Sequence, residues 1–138
     1  QLAPLKPGVL ALQLAVTPRA FGEIVHRWSA DDLLRYRSHL PLDFVLLTLY
    51  GSFGYLLTRR SRIFLGAAPS LTRFATWALP AAAACDAVEN ALHWWFTAAP
   101  RFGVPLLYAV SAGCSLLKWT LLMGFAVALA LALQRAQT

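Results

Sequence analysis

Four polar side chains, Asp86, Glu89, Asn90 and His93, sit inside an apolar stretch at i, i+3, i+4 and i+7. On a helix that spacing puts all four on one face. Further along, Ser111, Cys114, Ser115 and Lys118 repeat the spacing, and an earlier apolar stretch holds Asp43 with His39 before it and Tyr50 after it. Three chemistries suit such residues. Carboxylates and imidazoles ligate metals, and His39, Asp43, Glu89 and His93 are the candidate ligands, with Glu89 and His93 spaced for one helix face. The second Glu-x-x-His that marks carboxylate-bridged di-iron bundles is missing. His93, in the run His-Trp-Trp-Phe, could instead be an axial ligand to a tetrapyrrole. The competing reading is a hydrogen-bonded histidine beside two interfacial tryptophans, Trp94 and Trp95. Finally, closely placed carboxylates in a low-dielectric interior could share a proton and pass it on. The same cluster, Asp43, Asp86, Glu89, Asn90, His93 and Lys118, equally suits a static polar knot that fixes helix register. The static reading is favoured, because nothing in the chain resembles a broken-helix transporter with inverted repeats.

The elements that must position these residues are apolar helices. The chain has 138 residues, 59% of them hydrophobic and 13% charged, with a net charge of +6. Soluble domains are about 25% charged. The composition excludes a disordered tail, a coiled coil and a disulfide-stapled secreted module, and argues against a nucleic-acid binder despite the basic charge. It points to a lipid bilayer as the main partner. A crossing helix needs about 20 apolar residues. Residues 40–58, 74–97 and 103–133 satisfy this, each flanked by arginine. Residues 2–17 are a weaker fourth span, with a short interfacial segment as the alternative. The expected fold is one integral membrane domain over 1–138: an all-α, polytopic bundle of four transmembrane helices.

Loop charge sets the expected orientation. Arg59, Arg60, Arg62 and Arg73 lie in one acid-free loop region and Arg135 follows the last span, so both are placed on the cytoplasmic side. Both termini are then cytoplasmic, in a bacterial inner membrane. The outer linker, 18–39, mixes arginines with Glu23, Asp31 and Asp32. Thr17 with Pro18 predicts one helix start, and Ser29 with Asp32 predicts a second. The linker therefore reads as an amphipathic helix pair on the outer surface, with Trp28 and Tyr36 at the interface. Charges in hydrocarbon are costly, so the polar stripes should face one another. Counting at 1.5 Å per residue puts Glu89 about 24 Å and His93 about 30 Å above Arg73, and leaves Lys118 about 10 Å below Asp86. A direct Lys118–Asp86 pair then needs tilt or a shifted register; otherwise Lys118 snorkels to the cytoplasmic interface.

Other motifs are absent or bland. Cys85 and Cys114 form no Cys-x-x-Cys and read as two buried thiols. No nucleophile elbow, phosphate loop or His-Glu-x-x-His occurs. Gly51 and Gly54 read as packing sites, as do the run Ala81 to Ala84 and the pair Ala109 and Gly113. The run Leu42-Asp43-Phe44, followed by Asp86-Ala87-Val88-Glu89-Asn90, resembles an uncharacterised group of small bacterial inner-membrane proteins with four predicted helices. The resemblance implies a shared polar core of Asp43, Asp86, Glu89 and Asn90, with Lys118 able to join it, and brings no activity. His39 and His93 fall outside its pattern. The leading functional reading is a non-catalytic accessory or scaffolding subunit among other membrane subunits, for which bioenergetic or photosynthetic complexes are one home. Two alternatives stand beside it. One is a small proton- or ion-coupled transporter using Asp43, Asp86 and Glu89. The other is a membrane enzyme, or a metal or tetrapyrrole binder, using His39 and His93 with those carboxylates.

Overall fold

A computed structural model of the chain describes residues 5–99 and 101–136. Every regular element among them is an α-helix: α1 Val9–Gln13, α2 Pro18–Arg27, α3 Ala30–Arg60, α4 Pro69–Phe96 and α5 Pro105–Ala136. The three long helices run up, down and up, and α4 is central, with α3 packed along one side and α5 along the other. The arrangement is a three-helix layer rather than a square bundle. Two helices, Ala30–Arg60 and Pro105–Arg135, are long and apolar enough to cross a membrane. Helix α4 has 28 residues and is about 42 Å long, but its polar stripe lowers its hydropathy.

Local chemistry explains the helix starts. Thr17 accepts a hydrogen bond from Ala20 N and Pro18 fills the first position of α2. Ser29 and Asp32 form a reciprocal capping box at the start of α3, with Asp32 N donating to Ser29 Oγ at 3.1 Å and Ser29 N donating to Asp32 Oδ2 at 3.4 Å. The helix that Ser29 begins does not end in a linker. It continues through Pro41 to Arg60, so the expected second amphipathic helix and the expected span over 40–58 are one element of 31 residues. Proline removes one backbone donor at that turn, and the helix runs on past it. Only α2 is a separate surface helix.

In place of a crossing, the described part of 2–17 holds α1, five residues and about 8 Å long. Leu5, Leu12 and Ala15 pack with Phe21, Trp28, Tyr36, Leu40, Phe96 and Tyr108 in one apolar cluster. Residues 5–28 therefore cap one end of the long helices. Trp28 and Tyr36, expected at an interface, belong to this cluster and are 7% and 3% exposed. Trp28 Nε1 donates to the Pro7 carbonyl at 3.0 Å, which satisfies the one polar atom of the buried indole. A second apolar cluster, including Phe64, Ala78, Leu79, Phe125 and Ala132, closes the opposite end. At that end Gly66 turns the chain between α3 and α4 at φ 83°, a conformation that glycine adopts without strain.

The exterior is apolar. Leu42, Val45, Leu46, Leu49, Phe53 and Leu56 on α3 are each more than half exposed, as are Leu106, Met123 and Val127 on α5. The interior between the two apolar clusters is polar, with Glu89, Asn90, His93, Ser111, Ser115 and Lys118 all buried.

Candidate functional site

The centre of the polar layer is Lys118. Its Nζ donates to Asp86 Oδ1 at 2.9 Å and to Glu89 Oε2 at 2.8 Å. Glu89 has no exposed surface and Lys118 is 4% exposed. Tyr50 from α3 completes the arrangement, its hydroxyl donating to Asp86 Oδ2 at 3.1 Å. One ammonium thus joins two carboxylates of α4, and the tyrosine ties the same carboxylate to α3. A buried charge left alone costs several kcal/mol, roughly 3–5 when one partner of a pair is removed, so mutual pairing is what lets these groups leave water together.

The pairing corrects the depth expectation, and the cause is geometric. Helix α5 starts at Pro105, not at Arg101, which shortens the descent to Lys118 by about 6 Å. Side chains on a helix also lean toward its N-terminus. In antiparallel neighbours that tilt aims Lys118 toward the α2 end and aims Asp86 and Glu89 the opposite way, toward Lys118. The remaining gap is within the reach of a lysine stem, so Lys118 does not snorkel.

The helix register carries the cluster further. Asp86 and Phe96 are ten residues apart on α4, and Lys118 and Tyr108 are ten apart on α5. The first two pair with the second two, by the ion pair and by a ring stack with centroids 3.9 Å apart. The antiparallel register therefore continues between them and sets Glu89 opposite Ser115 and His93 opposite Ser111. Ser115 adjoins Glu89, while its hydroxyl donates to the Ser111 carbonyl at 3.2 Å. A hydroxyl has one hydrogen to give; turned toward Glu89 it would satisfy Glu89 Oε1. That oxygen, Asn90 Nδ2 and Ser111 Oγ are buried with no hydrogen-bond partner among the described residues. Cys85 and Cys114 are free thiols that face each other across the same seam.

The other expected site residues divide among separate partners. His93 is 1% exposed and shares a 2.6 Å hydrogen bond between its Nδ1 and the Tyr36 hydroxyl, with Phe21 meeting the ring edge-on at 5.3 Å. His39 and Asp43 pair along α3, His39 Nε2 lying 3.4 Å from Asp43 Oδ1, and both are partly exposed. Asp43 makes no hydrogen bond to Lys118. The four candidate metal ligands are thus split: His39 with Asp43, Glu89 with Lys118, and His93 with Tyr36. Among the described residues no three His, Cys, Asp or Glu side chains converge as a metal site requires.

Tyr36 is the partner that the sequence reading missed. Tyr36, Asp43 and Tyr50 recur every seven residues, so they share a face of α3. Extending the Asp43–Tyr50 spacing back by one further step would have found it, but a boundary at residue 40 hid the repeat. Arg37 lies over the Trp94 ring at 5.1 Å and donates to the Trp94 carbonyl and the Thr97 hydroxyl, at 3.1 and 3.0 Å. Chemically, the arrangement fixes three helices at one depth by charge and hydrogen bonds. No family model, curated protein sequence or solved structure matches this chain.

Proposed function

We propose that the chain is a non-catalytic accessory or scaffolding subunit of a larger assembly in a bacterial inner membrane. The observation that carries this reading is the inversion of polarity. The charges Asp86, Glu89 and Lys118 lie inside, while long apolar faces of α3 and α5 lie outside. A soluble protein of this size does not expose such faces unpartnered. Lipid and neighbouring apolar helices are the surroundings that fit.

In this reading α3, α4 and α5 cross the membrane. Arg59, Arg60, Arg62, Arg73 and Arg135, at one end of the long helices, face the cytoplasm. The segment from Leu5 to Trp28 rests on the outer rim. The bacterial inner membrane is the home implied by the resemblance to small inner-membrane proteins. The carboxylate cluster is a structural knot: each carboxylate of α4 is held by Lys118, and Glu89 is fully buried.

The test is purification from native membranes in a mild detergent. The chain is expected to co-elute with other membrane subunits, in a particle larger than itself. Recovery as a lone monomer contradicts the proposal. A proton-flux assay in liposomes separates it from transport: wild type and Glu89→Gln should give equal flux, and loss of flux in Glu89→Gln would install the transport reading instead.

A further inference from the structure

The end of the layer capped by α2 contains a cavity of about 570 Å³, a size ordinary for small-molecule sites. Its floor is aromatic and held from several sides. Phe96 stacks on Tyr108, and Phe21 meets them edge-on at 5.4 and 5.3 Å. Val25 and Leu33 extend the apolar wall.

The rim is charged and unbalanced. Arg19 and Glu23 on α2 pair with each other at 2.9 Å and so cancel. Arg101, also on the rim, pairs with no carboxylate among the described residues. Its guanidinium rests over the Trp95 ring at 4.5 Å, and its buried Nε has no hydrogen-bond partner among the described residues. A planar guanidinium held by an aromatic face, with donors to spare, matches the forked oxygens of a carboxylate or a phosphate.

We propose that this cavity binds an anionic amphiphile. The hydrocarbon tail lies against Phe21, Phe96 and Tyr108, and the carboxylate or phosphate head sits on Arg101. A free fatty carboxylate and an anionic phospholipid share this chemistry. The proposal rests on the membrane reading above only for where such a molecule would come from.

Gly22 supplies the decisive variant. It lines the cavity, and a Cβ built on it meets nothing within 4 Å. Gly22→Leu therefore adds apolar bulk to the cavity lining with no clash at its Cβ, while Arg101→Gln removes the charge and leaves the space open. The experiment is native mass spectrometry of the full chain in detergent micelles, titrated separately with oleate, phosphatidylglycerol and phosphatidylcholine. Helical circular dichroism of each variant is compared with wild type.

Wild type should retain one oleate or one phosphatidylglycerol per chain at least tenfold better than phosphatidylcholine. Whichever anion is retained identifies the source. Arg101→Gln should lower that retention about tenfold, and Gly22→Leu should abolish it. Equal retention by wild type and both variants overturns the proposal, as does loss in Arg101→Gln without loss in Gly22→Leu. Membrane fractionation tests the other reading separately. Oleate reaches the cavity from water as well as from lipid, so recovery of the chain in the aqueous fraction would remove the membrane reading while the oleate titration still decides the cavity.

Discussion

Helix α4 meets its two neighbours by different means. Toward α3 it packs closely at two glycines, beside the Tyr36–His93 and Tyr50–Asp86 hydrogen bonds: a Cβ added at Gly51 would lie 2.9 Å from Ala83 Cβ, and one added at Gly54 would lie 2.6 Å from Leu79 Cβ. Toward α5 it packs through the Lys118, Asp86 and Glu89 charges and the Phe96–Tyr108 stack. The α5 seam depends on keeping every charge partnered. Where water supplies no hydrophobic drive between helices, close approach and buried polar contacts are the two means that remain. This chain uses both toward α3, while among the described residues the ion pairs of α4 lie toward α5.

The largest way to break the comparison is at the charged seam. Lys118→Met keeps the stem length and removes the ammonium, leaving Glu89 buried beside an apolar side chain. The expected loss is about 3–5 kcal/mol of unfolding free energy, read by denaturation in micelles. Loss below about 1 kcal/mol would mean that the carboxylates find other partners easily. At the glycine seam, Gly54→Ala drives a Cβ into the root of Leu79, which cannot swing away. It should destabilise by about 1–3 kcal/mol, measured in the same way. The smallest effect sharpens the contrast. Gly113 lies on α5, and a Cβ there meets nothing within 4 Å. Gly113→Ala should therefore stabilise the helix by about 0.5–1 kcal/mol. The same substitution thus has opposite signs at Gly54 and Gly113. Destabilisation at both would put an unseen neighbour against α5.

These residues also show what could be read from the chain. The face shared by Asp86, Glu89 and Asn90, and its need to meet other polar stripes, follow from helical spacing and the cost of charge in an apolar setting. Gly51 and Gly54 as packing sites follow from residue size. The caps at Thr17 and Ser29 follow from side-chain hydrogen bonding. What did not follow depends on where helices begin and which way side chains lean. Counting residues 101–104 as helix sets Lys118 too deep, since α5 starts at Pro105. A span begun at residue 40 leaves Tyr36 at an interface, whereas α3 runs unbroken from Ala30 and buries it. Gly113 and Ala109 carried the same small-residue signal as Gly51 and Gly54, yet Gly113 faces open space. Spacing alone does not say which side of a helix has a neighbour. The division of His39, Asp43, Glu89 and His93 among separate partners is likewise a matter of which helix faces which.

The most direct test of the ion-paired seam is a double-mutant cycle over Lys118→Met and Glu89→Gln, with unfolding of the full chain in micelles as the readout. A coupling energy of about 2 kcal/mol is expected, with Lys118→Met much less harmful once Glu89 is neutral. Additivity within about 0.5 kcal/mol would contradict it, because the two side chains would then not be holding one another in place.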